Sequence, residues 1–154
     1  MNIFALDENP HAIARHYPDI HLRKMLVEYV QLLSNAWPAN LSVYKRTHYN
    51  HPCSKWARTS RMNYEWLYSL VQSMGYEYLN RFNKSHLSWV KVRQLPRFAP
   101  HLPSQGLTSW PQVMPIEFQG EDAIKAYRKY YASKIRGFRL RGICKKTCVN
   151  LRGQ

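Results

Sequence analysis

Acidic residues are scarce in this chain: nine Asp and Glu stand against 23 Lys and Arg, a formal net charge of +14. So large an excess repels itself in a folded molecule, and its simplest use is a polyanionic partner, nucleic acid first and an anionic membrane surface second. Long apolar runs are missing as well, which argues against a membrane span. The opening MNIFALDENPH has neither the basic nor the apolar region of a signal peptide, so a cytoplasmic location is expected. Three cysteines are too few, and odd in number, for a disulfide framework. Glycine-rich phosphate loops, dinucleotide fingerprints and serine-hydrolase elbows are all lacking, and we expect no cofactor.

What is present suits a packed domain. The 154 residues allow one domain with a proper core, and 45% hydrophobic with 14% aromatic content, eleven Tyr and five Trp among it, argues against disorder. The expected fold is mainly α: a small single domain over residues 1–136, with a short extended N-terminal segment and a long Pro-rich loop, followed by a basic tail over 137–154. Helices are expected from Asp19, acting as cap, to before Pro38; from about Cys53 to Phe82, with a break at Thr59 and Ser60; over 85–94; and over 121–136. Residues 38–52 read as an irregular basic loop, and residues 95–119, carrying Pro96, Pro100, Pro103, Pro111 and Pro115, as the long one.

The positive charge is unevenly placed. No acidic residue follows Asp122, whereas Lys125, Arg128, Lys129, Lys134, Arg136, Arg139, Arg141, Lys145, Lys146 and Arg152 do. A second basic stretch, Lys45, Arg46, Lys55, Arg58 and Arg61, carries Tyr44, His48, Tyr49 and Trp56 among its charges. Cations neutralise phosphates while rings stack on exposed bases, so the combination points to nucleic acid. Candidate contacts are Gln31, Arg46, His51, Arg58, Arg61, Asn63, Arg128, Lys129, Tyr130, Arg136, Arg139 and Arg141. A zinc site from His48, His51, Cys53, Cys144 and Cys148 is conceivable in ligand type, but two lysines between the last pair disfavour a cation, and no metal is expected.

The stretch DIHLRKMLVEYVQLLSNAW, residues 19–37, has a stripe of Leu22, Met25, Leu26, Tyr29, Val30, Leu33 and Trp37 at helical spacing. Opposite it His21, Lys24, Glu28 and Gln31 also recur at three- and four-residue steps. A carboxylate repels phosphate, so Glu28 needs a reason to stand in a basic protein. Cleavage at a sugar supplies one, because the oxocarbenium-like transition state at C1′ is stabilised by a carboxylate.

The spacing of His21 to Glu28 within DIHLRKMLVEY, the extended N-terminus and the later AYRKYY resemble the phage pyrimidine-dimer DNA glycosylases of the endonuclease V type. That resemblance implies a small, mainly helical basic domain. It implies an N-terminal amine that attacks C1′ of the damaged nucleotide, an assisting glutamate, and strand cleavage by β-elimination through a Schiff base. By the resemblance Glu28 is the glutamate, and the helix bearing Tyr127, Tyr130 and Tyr131 is the DNA-contacting region. Gln31 and Val27 stand where the family has arginines, and Asn2 disfavours removal of Met1. The amine would then be that of Met1, since α-amines as a class have pKa ~8 and are partly neutral at pH 7, with Lys24 as fallback and His21 beside them. The motifs NIF-LD, H--KM--E--QLLS, HP---WAR and NYEWL also resemble a set of small uncharacterised phage-type proteins, for which the location would be the host cytoplasm.

Two readings follow from different classes. One is a DNA glycosylase/AP lyase acting on a damaged or modified pyrimidine in double-stranded DNA. The other is a non-enzymatic phage accessory protein that binds nucleic acid, with a nucleotide-modifying enzyme using His51, Arg58 and Asn63 as a further alternative. In either case the charge distribution makes residues 125–152 the main source of affinity. Deleting residues 137–154 should leave the protein folded and flatten the log–log salt dependence of duplex binding by about two to three units, each phosphate contact contributing about 0.9.

Overall fold

The computed structural model describes residues 1–135, in which six α-helices and no strand occur. The basic tail expected over 137–154, and with it Arg136, Arg139, Arg141, Cys144 and Cys148, lies outside the described residues.

The chain enters as an extended segment, with Ile3, Phe4, Ala5 and Leu6 all buried. An unpaired backbone inside a core is costly, and two tyrosines remove the cost. Phe4 N–H donates to the Tyr29 hydroxyl at 3.1 Å, Tyr17 Oη donates to the Phe4 carbonyl at 3.1 Å, and the two hydroxyls are 2.9 Å apart. With Tyr17's proton spent on Phe4, Tyr29 must be the donor between them, which closes a directional ring. Asn9 then caps α1 (Pro10–Ile13), whose first residue is proline. A 3₁₀ turn over Ala14–His16 leads to Pro18. This short helical pair carries too few residues to show a period.

α2 (Asp19–Ser34) starts one residue earlier than a cap at Asp19 would give: extended Pro18 occupies the cap position. Asp19 instead sits in the first turn, where its carboxylate lies 3.3 Å from Arg81 Nη1. The helix stops at Ser34, short of Pro38, and Asn35 turns its amide inward to the Thr47 carbonyl and Ser54 Oγ. The apolar stripe is buried as expected, yet His21 is buried with it. The polar row therefore does not lie wholly on the solvent side.

α3 (Pro52–Thr59) and α4 (Arg61–Phe82) are separated at Ser60, whose extended backbone breaks the helix. Ser60 Oγ accepts from Asn63 N–H and donates to the Gly106 carbonyl, capping α4 and holding the long loop at once. α5 (Leu87–Val92) is shorter than the expected 85–94, and α6 (Ala123–Lys134) is capped by Asp122, which accepts from Ile124 and Lys125. α4 packs on α2, α1 and α3 and forms the spine of the core. The Pro-rich loop is stitched onto that spine by Asn63, Arg61, Tyr64 and Trp56, each donating to a carbonyl or hydroxyl of residues 96–108.

Gly75 lies mid-way along α4, where the face of the Trp89 indole rests on its backbone and a β-carbon would overlap the ring. Alanine ordinarily stabilises a helix interior by about 1 kcal/mol over glycine. Here Gly75→Ala should instead destabilise the protein by about 1–3 kcal/mol through overpacking, read as a lowered denaturant midpoint.

Candidate active site

The buried N-terminal segment brings the start of the chain against α2. Asn2 works as a hook: its Nδ2 donates to the Val113 carbonyl at 2.6 Å, and the Tyr127 hydroxyl reaches its Oδ1 at 2.6 Å. Ile3 is bonded through its backbone to the Cys53 thiol, and burial pushes that thiol up to about 11. A thiol so protonated is no nucleophile. The Met1 side chain is 4% exposed and its α-nitrogen stands 3.7 Å from Glu28 Oε2.

Glu28 is 16% exposed and receives a second cation from its own helix, Lys24 Nζ at 3.9 Å from Oε1, with the Lys24 side chain largely in solvent. These groups open onto a cavity of about 250 Å³ whose wall also includes Tyr130 and Lys134 of α6. Lys134 lies 5.5 Å from the centre of the Tyr130 ring. The cavity thus has one carboxylate, one α-amine and two lysines. Such a pocket suits an anionic sugar–phosphate whose reacting carbon develops positive charge beside Glu28.

His21 forms the floor. Its ring stacks on Phe4 at 5.6 Å with planes 9° apart, and its Nδ1 shares a 2.9 Å hydrogen bond with Tyr131. Burial lowers its pKa to about 4, with the charges of Lys134 and Lys24 acting in the same sense. It is therefore a neutral imidazole at pH 7. Gln31, one turn beyond Glu28, does not line the cavity. His51 caps α3 through Nδ1, which accepts from Cys53 N–H at 3.2 Å, so its other nitrogen carries the proton when neutral. Its pKa is lowered first by burial and then by the N-terminal amine, while Glu28 acts the other way, which puts the ring within electrostatic reach of the site.

The remaining candidates scatter. Arg46 and Arg58 lie over the Tyr49 ring, their guanidinium carbons 4.3 and 3.4 Å from its centre, and Arg58 is further tied to the Tyr49 and Ser54 carbonyls. Arg61 is spent on the carbonyls of Leu102 and Pro100. Asn63 is fully buried, with its amide bonded to Trp56 and Thr108, and offers no face to a nucleotide. Arg128 holds the Leu6 carbonyl and Asp7, and Lys129 reaches the Glu117 carbonyl at 3.4 Å. Sequence reasoning passed over Phe4, and Lys134 as a pocket residue; it named Asn2 only for Met1 removal and Tyr127 only as part of a DNA-contacting helix, whereas the two are bonded to each other and Tyr127 is buried. The four-residue step from Tyr130 to Lys134 on one helix face was the available signal for Lys134. Among the described residues no three His, Cys, Asp or Glu are grouped to hold a metal ion, and no helix is long and apolar enough to cross a membrane.

The helical domain thus sets an α-amine against a glutamate at the wall of a basic pocket. The profile of the pyrimidine dimer DNA glycosylase family matches residues 1–90, more than half of the 154-residue chain, and the protein belongs to that family. The matched span holds Met1, Lys24 and Glu28 and ends within α5; Tyr130 and Lys134 lie beyond it. Membership points to glycosylase activity on pyrimidine dimers, with DNA as the substrate. No curated protein and no solved structure matches the chain.

The burial of His21 has a pH consequence. Its folded pKa of about 4 lies below the ordinary 6.5, so the unfolded chain binds more protons between these values. The stability it contributes is fully present above pH 6.5 and is lost as pH falls toward 4. Unfolding measured across that window should show a shallower loss in His21→Gln than in the native protein, the two curves converging at the acid end.

Proposed function

We propose that the protein is a DNA glycosylase/AP lyase in which the Met1 α-amine is the nucleophile and Glu28 the assisting carboxylate. The neutral amine attacks C1′ of the damaged nucleotide while the bond from C1′ to the base nitrogen breaks. The base leaves with the electron pair and takes up a proton. Glu28 stabilises the positive charge that develops at C1′. The sugar ring opens to a protonated Schiff base between Met1 and C1′. Loss of a C2′ proton, for which Glu28 is within reach of the same carbon framework, then expels the 3′ phosphate by β-elimination, and water releases the sugar fragment.

The observation that carries this reading is the 3.7 Å approach of the Met1 nitrogen to Glu28 at the mouth of a small basic cavity. A carboxylate beside the attacking amine can accept the proton that the nitrogen sheds as its bond to C1′ forms. Lys24 is the second amine within range of Glu28, but its side chain is 68% exposed and reaches into solvent. Lys24 and Lys134 are placed to hold phosphates on either side of the target nucleotide. A dimer buried in a duplex is reached by kinking or extrusion, and Tyr130, the partly buried tyrosine of α6 on the cavity wall, is the ring available to fill the gap.

Incubation with abasic-site DNA and borohydride should yield a covalent adduct on the Met1 peptide, and the protein should nick ultraviolet-irradiated plasmid in preference to untreated plasmid. Glu28→Gln should reduce nicking by on the order of 10²–10³-fold, the scale on which removal of one electrostatic group acts. Lys24→Gln should keep the adduct. An adduct on Lys24, or none at all, would overturn the assignment, and intact mass of the purified protein establishes that Met1 is retained.

A further inference from the structure

A second cavity, of about 420 Å³, shares no residue with the Glu28 pocket and is lined by His11, Tyr68, Ser69, Gln72, Arg93 and Arg97. No carboxylate lines it. Arg93 and Arg97 are four residues apart just beyond α5, and among the described residues neither side chain makes an ion pair or a hydrogen bond. Each is instead laid against a ring, Arg93 over Trp89 with its guanidinium carbon 4.2 Å from the centre and Arg97 over Phe98 at 5.5 Å. Stacking of this kind orients a guanidinium while leaving its N–H edges unspent.

The floor of the cavity is built in the same sense. Trp89 Nε1 donates to Gln72 Oε1 at 3.0 Å, so the Gln72 amide is left with only its NH₂. That group bonds the Tyr68 hydroxyl oxygen. Tyr68 is 8% exposed and lines the cavity, and its hydroxyl has its own proton left over. Burial raises the Tyr68 pKa, while Arg97 and Arg93 pull it back, so both guanidiniums act on that hydroxyl and it remains protonated at pH 7. On the rim, Ser73 spends its proton on the Ser69 carbonyl, which makes His11 Nδ1 the donor in the 2.7 Å bond between His11 and Ser73. Two guanidiniums and a hydroxyl donor lining one cavity, with no carboxylate among the lining residues, suit the oxygens of a phosphate group.

We propose that this cavity is a second anion site that takes a phosphate group on Arg93, Arg97 and the Tyr68 hydroxyl, separate from the Glu28 pocket. The phosphate belongs either to a nucleic-acid strand outside the cleavage site or to a free phosphate monoester. The site does not depend on the amine chemistry, so failure of borohydride trapping would leave it standing.

The test follows the Arg Nε–H resonances of the full chain, assigned through Arg93→Gln and Arg97→Gln, during titration with inorganic phosphate at constant ionic strength. Both resonances should shift together with one affinity. Tyr68→Phe keeps the charge and should weaken that affinity several-fold, while the double Arg→Gln variant should weaken it about tenfold or more, the scale of losing charge-assisted hydrogen bonds. A second arm measures undamaged-duplex binding against salt. A slope flattened in the double variant by about 0.9 per lost contact assigns the phosphate to a strand, and an unchanged slope assigns it to a free monoester. Resonances that do not respond to phosphate, or a Tyr68→Phe protein that binds it as the native one does, would overturn the proposal even if the slope changes, since any lost surface charge flattens it. Denaturant unfolding of each variant excludes loss of fold as the cause.

Discussion

The placement of the amine depends on the closed hydrogen-bond ring around Phe4. An extended segment drawn into a helical core has backbone groups that no helix can satisfy. Here Tyr17 and Tyr29 take both of Phe4's, the donor order being fixed by which hydroxyl has a proton to spare. Asn2, hooked on Val113 and Tyr127, adds the last constraint. Together these turn a chain terminus, ordinarily the loosest part of a protein, into a fixed wall of a cavity. The surrounding aromatics, Phe4 against His21, Tyr127 and Tyr131, fill the space that the segment leaves between α2 and α6.

The electrostatics of the cavity follow from that geometry. Glu28 is one of nine acidic residues in a chain of net charge +14, and it is flanked by the Met1 nitrogen on one side and Lys24 on the other. A carboxylate in this position is tolerated because two cations offset its repulsion of phosphate. His21, pressed under the cavity by burial and two neighbouring lysines, adds no charge at neutral pH. The lysines that line the cavity with Glu28 are Lys24 from α2 and Lys134 from α6.

Much of the remaining basic and amide chemistry serves the fold. Arg61 and Asn63 hold the proline-rich loop, which has few backbone donors of its own, onto the start of α4. Arg128 fastens α6 to the end of the N-terminal segment through the Leu6 carbonyl. Arg81 joins Asp19, Glu77 and the Tyr17 carbonyl, tying α4 to the entrance of α2. The acid-poor composition makes such guanidinium-to-carbonyl bonds a natural substitute for ion pairs.

The sequence alone determined the helical class, the α2 stripe from Leu22 to Leu33, the break at Ser60 and the place of the final helix, because each is written in local spacing and capping chemistry. It also marked Glu28, as a carboxylate out of keeping with the charge around it, and carried the motifs by which the family resemblance was seen. It did not separate Arg46, with its ring contact to Tyr49, from Arg61, spent on two carbonyls, since a guanidinium has the same sequence signature in both duties. Nor did it show that His21, in register with Lys24 and Glu28, is buried: a helix period gives a residue's angle about the axis, but what packs at that angle is set by Phe4 and Tyr131, far away in sequence. The approach of Met1 to Glu28, the entry of Lys134 from the last helix and the meeting of Arg93 and Tyr68 at one cavity were decided only by tertiary structure, because each joins segments whose meeting depends on how the core closes.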